Sequence, residues 1–309
     1  MVLETLHDRI NVLHLDHNSS KDSRTQSVAG LLFESLSYYT WQRLKYSIPM
    51  NVSQGEETIT DINLLEMKLS GIRDIKVWKC SKKEESTKGI DWWWLIGNDI
   101  AGWRSYLVQA KKLNLKTKRY STLSHKVGNQ RQIDCLVETA RIECAFPLYC
   151  FYNYVDFPTK DALPEVWNCR SLQPEETQLG CTVTPARIVE AALSGSKREN
   201  ARTFESIHFK GGPTTPWRCL VTCDHAVHAY QAPENVPHEC DSAYMYSKYV
   251  DIPVKARRLF EPSDGEIVTK LDATVPAKRV AIIEVRALYK DRTSMMNQAQ
   301  PPLPEMKNF

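Results

Sequence analysis

Residues 90–97 read Ile-Asp-Trp-Trp-Trp-Leu-Ile-Gly, a strand-length apolar run with three consecutive tryptophans. In an extended chain successive side chains point to opposite faces. Trp93 therefore shares a face with Asp91, while Trp92 and Trp94 occupy the other. Bulk of this kind on both sides of one strand needs a sheet packed against helices.

The surrounding pattern supplies them. Residues 27–45 place apolar side chains at helical spacing, with Ser27 as a cap. Residues 56–69 form a second helix stopped at Gly71, with Ile62, Leu65 and Leu69 as its core stripe and Glu57 and Asp61 on an adjacent face. Residues 74–80 alternate, and the polar stretch that follows predicts a hairpin with 90–97. Residues 103–113 alternate again. A helix over 129–143, with Asp134 as a partner for the basic loop before it, and a buried strand over 146–154 follow. Further on, 184–193 reads as a helix capped by Thr184 with Pro185 in its first turn, and 279–288 as a strand.

These elements predict an α/β fold, a mixed sheet flanked by helices, with a C-terminal α+β accessory region. The expected division is a core over residues 1–155 and an accessory region over 156–309. The N-terminal arm and the tail after residue 291 are expected to be disordered. No apolar run approaches the roughly 18 residues of a membrane span, and the N-terminus lacks a secretory pattern, so no membrane association and a cytoplasmic location are expected.

Asp91 opens one strand, and Gln109-Ala110-Lys111 lies on the next. Gln109 and Lys111, two apart, emerge on one face. An acid, a following strand and Gln-x-Lys resemble the PD-(D/E)xK restriction-endonuclease-like nucleases, in the variant whose second acid is Gln. The resemblance covers roughly residues 50–155, and Ile90 stands where that family usually has Pro. It implies metal-dependent phosphodiester hydrolysis with Mg²⁺ or Mn²⁺ as cofactor, DNA more than RNA as substrate, and a role in bacterial phage defence or DNA processing. It also implies metal ligands at Asp91 and Gln109, with Glu57 and Asp61 from the preceding helix, and a catalytic Lys111 assisted by Glu57. Glu56 is the alternative ligand if the helix is rotated. A non-catalytic nucleic-acid-binding or effector-scaffold protein of the same fold is the alternative function, and a homodimer is an open arrangement.

The chain's net charge is only +3, from 40 Lys and Arg against 37 Asp and Glu. Its distribution is uneven: residues 100–145 hold nine basic side chains against three acidic ones. Five of the nine, Lys111, Lys112, Lys116, Lys118 and Arg119, fall within 111–119, so the last four are expected to meet a phosphate backbone. Trp93 is the candidate to stack on a base. Cys219, Cys223, His225 and Cys240 offer a loose zinc-like set, but their spacing matches no finger, and Cys80, Cys135, Cys144 and Cys150 fall at apolar positions. A structural zinc is not expected there.

Overall fold

The computed structural model describes residues 28–80, 90–99, 102–157, 162–169, 171–194, 202–223, 249–250, 252–260 and 275–285. Helix α1 (Val28–Ser47) and helix α2 (Glu56–Leu69) lead into strands β1 (Ile75–Lys79), β2 (Trp92–Asn98) and β3 (Gly102–Lys112). A small hairpin, β4 (Lys126–Val127) and β5 (Gln130–Arg131), precedes helix α3 (Gln132–Ile142) and strand β6 (Phe146–Tyr152). A 3₁₀ turn (Glu176–Gly180), β7 (Cys181–Pro185), α4 (Ala186–Ser194), the short α5 (Phe204–Ile207), β8 (Thr215–Pro216) and α6 (Cys219–Thr222) follow. The chain ends its described course with β9 (Tyr249–Val250), α7 (Val254–Phe260) and β10 (Arg279–Glu284). Among the described residues no helix is long and apolar enough to cross a membrane.

The architecture is α/β, a mixed sheet in the order β1-β10-β2-β3-β6-β7-β8, with β9 adding to β3. β2 and β3 pair antiparallel, with Trp92 opposite Val108, and β3 and β6 pair parallel, with Gln109 opposite Tyr149. The predicted hairpin of β1 with β2 does not form. β10 lies between them, antiparallel to β1 and parallel to β2, with Arg279 in register with both Lys79 and Trp92. A fully buried β2 needs hydrogen-bonded neighbours on both edges, and the late Arg-Val-Ala-Ile-Ile-Glu segment provides one.

Both sheet faces are covered, as the tryptophans require. Trp92, Trp93 and Trp94 are all fully buried. Phe33 of α1 packs edge-on to Trp94, with ring centroids 6.4 Å apart, and tilts against Trp217 at 4.9 Å. Thr60 of α2 shares a hydrogen bond with the Tyr152 hydroxyl. α3 covers the face carrying Gln109 and Tyr149, and Asp134 near its start bears electrostatically on the Tyr149 ring. Gly180, where the 3₁₀ turn meets α1, has no room for a side chain: a Cβ there would sit 2.2 Å from the Ser37 carbonyl oxygen.

Three expectations are corrected here. α2 buries Ile59, Thr60, Asn63, Leu64 and Met67, while Leu65 and Leu69 are exposed, so the helix is rotated relative to the predicted stripe. Thr184 and Pro185 end β7 rather than open α4. The division at residue 155 does not follow the sheet, because β7, β8 and β10 continue the sheet that β1, β2, β3 and β6 begin. The arm, Ser27 and the tail after 291 lie outside the described residues.

The shared sheet makes a sharp prediction. A fragment ending at residue 155 leaves β1 and β2 without the strand that joins them, so it should show no cooperative thermal transition by circular dichroism, whereas the full chain should show one. A fragment that melts cooperatively would establish the division at 155.

Candidate active site

β2 and β3 run antiparallel, so the start of β2 lies beside the end of β3. Asp91, one residue before β2, is 8% exposed. Its Oδ2 accepts hydrogen bonds from the Ala110 backbone N–H, at 2.9 Å, and from the Gln109 side-chain amide. Its Oδ1 faces Lys278 Nζ at 3.5 Å. Lys278 is delivered by β10, whose pairing with β2 extends one step further through the Lys278 N–H to the Ile90 carbonyl, at 2.9 Å.

Gln109 and Lys111 point to one face of β3, as alternation requires. Both are buried. Gln109 spends its amide nitrogen on Asp91, and its Oε1 is buried without a hydrogen-bond partner among the described residues. An unsatisfied buried carbonyl oxygen costs about 1–3 kcal/mol. Rotating the amide half a turn would exchange the two atoms and set two oxygens, Gln109 Oε1 and Asp91 Oδ2, face to face. That arrangement is favourable only around a cation. The donor set of a carboxylate plus an amide oxygen suits a hard divalent ion.

The rotation of α2 decides which acid joins them. Glu56 lies in its first turn, in line with the buried Thr60, Asn63 and Met67. Its Oε2 accepts from the Lys112 N–H at 3.0 Å, and its Oε1 lies 3.5 Å from Lys111 Nζ. The Lys112 ammonium in turn donates to the Gln54 carbonyl, 2.6 Å away, which pins the start of the helix to the end of β3. Burial holds the Glu56 carboxyl above its ordinary range; Lys111 pulls it down, and the Asp91 charge pushes it up.

Glu57 and Asp61 do not reach this group. Asp61 accepts from Lys79 Nζ at 2.7 Å and from Arg279 Nε at 2.8 Å, while Glu57 is mostly exposed and 3.7 Å from the Arg279 guanidinium. Arg279 is fully buried and lies over the Trp92 ring, so these acids serve to neutralise a strand cation. Lys79 and Arg279 are also what holds Asp61 below the usual carboxylate range, against its partial burial.

Trp93 is no stacking platform: it is fully buried, and its indole nitrogen donates to Ser105 Oγ at 2.9 Å. The basic stretch is partly consumed internally. Lys118 lies over the Tyr154 ring, and Lys112 is tied to Gln54, so within 111–119 only Lys116 is exposed among the basic residues. Arg119 is half-buried, its backbone bridging to Thr203. Asp134 pairs with Arg131, three residues before it, at 2.5 Å, rather than with the basic loop that precedes this segment.

Two members of the group were not anticipated. Lys278 belongs to a distant strand, and no local spacing ties it to Asp91. Tyr149, beside Gln109 on β6, is fully buried, and its hydroxyl has no hydrogen-bond partner among the described residues. Burial, then the charges of Asp91, Asp134 and Glu56, push that hydroxyl's ionisation far up, so it stays a neutral donor facing the acidic cluster.

Glu56 gives a test with a defined sign. A glutamate whose pKa is raised by folding destabilises the protein at pH values above its titration, and the penalty vanishes as pH falls below the unfolded value. Glu56→Gln keeps the acceptor for the Lys112 N–H and removes the charge. Its melting temperature should exceed the wild type's at neutral pH, and the gap should close in acid. An equal or lower melting temperature at neutral pH would mean that Lys111 more than offsets the burial of Glu56.

Comparison with curated proteins finds no match, and neither does comparison with solved structures. A family model does match, over residues 30–300, which takes in every residue of the group around Asp91. The chain belongs to the family of unknown function DUF6615.

Proposed function

We propose that this chain is a metal-dependent nuclease with a restriction-endonuclease-like core, hydrolysing phosphodiester bonds of DNA in preference to RNA, in a setting such as phage defence or DNA processing. The observation that carries the reading is the convergence of Asp91, the orphaned Gln109 oxygen, Glu56 and Lys111 at one end of β3. Asp91, Gln109 and Glu56 would hold Mg²⁺ or Mn²⁺. Glu57 and Asp61, committed to Arg279 and Lys79, have no part in it. When bound, the ion supplies Lewis acidity at a phosphoryl oxygen and a more acidic water.

The chain's own residues account for the remainder. Lys111 Nζ, buried beside Glu56, would orient the attacking water and neutralise charge that grows on the phosphate. Lys278 balances Asp91 before substrate arrives and supplies a second cation beside it afterwards. Two carboxylates with one neutral amide carry less negative charge than three acids, which lowers the repulsion a phosphodiester meets on entry. Lys116, exposed in the turn that follows β3, is the first candidate for the phosphate backbone.

The test is cleavage of plasmid, single-stranded DNA and RNA by the full chain with Mg²⁺ or Mn²⁺. Asp91→Ala and Lys111→Ala should each lower the rate at least about 100-fold. Glu57→Gln should cut like wild type. Equal cleavage by all four proteins, or cleavage by none, would sink the catalytic reading. Retained DNA binding without cleavage would leave the fold as a non-catalytic nucleic-acid binder.

A further inference from the structure

At the far edge of the sheet from Asp91, three cysteines that lie apart in sequence converge. Cys169, Cys219 and Cys223 are all buried, and their sulfur atoms lie within 4.8 Å of one another. Cys169 Sγ and Cys223 Sγ are 3.9 Å apart. That is far beyond a disulfide bond of about 2.05 Å. It agrees with a tetrahedral zinc centre, where Zn–S bonds of about 2.3 Å place neighbouring sulfurs about 3.8 Å apart.

The supports of these thiols are rigid. Asn168 donates to the Phe209 and Thr214 carbonyls, each at 3.0 Å, and accepts from the Gly211 N–H at 2.8 Å, which fixes the backbone just before Cys169. Cys219 and Cys223 stand one turn apart on and just after α6, with the Cys223 N–H bonded to the Cys219 carbonyl at 3.1 Å. The residues before them are anchored to α1: Trp217 Nε1 donates to the Phe33 carbonyl at 2.7 Å, and Arg218 pairs with Glu34.

We infer that Cys169, Cys219 and Cys223 supply three thiolate ligands, with water completing the tetrahedron, to a zinc ion that ties the 162–169 segment to α6. The set differs from the one the sequence suggested. Cys169 enters from 50 residues upstream of Cys219, and His225 and Cys240 lie outside the described residues. Each coordinating thiol gives up its proton to solvent as its Zn–S bond forms, with no change of oxidation state. Zinc retention should accordingly fall in acid. The inference is independent of the nuclease reading.

The experiment is metal analysis by inductively coupled plasma mass spectrometry on the full-length protein, before and after equilibration with zinc and gel filtration. Wild type, Asp91→Ala and the control Cys135→Ser should each hold about one zinc per chain, and Cys169→Ser and Cys219→Ser should lose it. Because these variants can fail to fold, two measurements use wild type alone. A zinc chelator should lower its melting temperature and added zinc restore it, and three further thiols should react with a thiol reagent only after chelation. Cobalt in place of zinc should give thiolate charge-transfer absorption. Zinc-free protein that binds none on equilibration, zinc undiminished in a folded Cys169→Ser, or iron in place of zinc would each overturn the inference.

Discussion

The parallel pairing of β10 with β2 is the constraint on which the rest of the molecule depends. It fills the gap between β1 and β2, completes the hydrogen bonding of the tryptophan strand and fixes Arg279 against Trp92. The same register delivers Lys278 to Asp91 and Arg279 to Asp61. One strand therefore settles two electrostatic questions. It decides which carboxylate stays exclusively with an arginine and a lysine, and which is left beside an uncommitted oxygen.

The group at the end of β3 gathers two carboxylates, two ammonium groups and an unsatisfied amide oxygen in a largely buried place. A cluster selected only for stability would pair these groups fully or replace them with apolar ones. Here Gln109 Oε1 and the Tyr149 hydroxyl are left without partners among the described residues, and Glu56 resists ionisation.

Much of this was legible in the chain. The period-2 pattern around Asp91 and Gln109-Ala110-Lys111 put those three side chains together because adjacent antiparallel strands obey short-range rules. The boundaries of α2 were equally local, and the helix runs over Glu56–Leu69 as read. Its rotation was not local. Leu65 and Leu69 look like core in a helix considered alone, but Tyr152 and the end of β3 draw in Thr60 and Glu56 instead. The exchange of Glu57 for Glu56 follows from that one rotation. Lys278, β10's central place and the meeting of Cys169 with Cys219 are long-range events, decided by which edges and faces remain uncovered once the local elements form. Trp93 failed as a surface residue for a related reason: alternation assigns a side to a residue but not what will cover that side.

The central position of β10 also bears on how the protein is made. During synthesis β2 and β3 leave the ribosome long before β10 exists, so for most of that time the tryptophan strand has one bare edge beside its apolar faces. Exposed edges of this composition pair readily with other chains. Closing the sheet depends on contacts far apart in sequence, a topology associated with slow folding. The nascent chain thus carries its greatest liability to aggregation in the interval between its most apolar strand and the late segment that shields it.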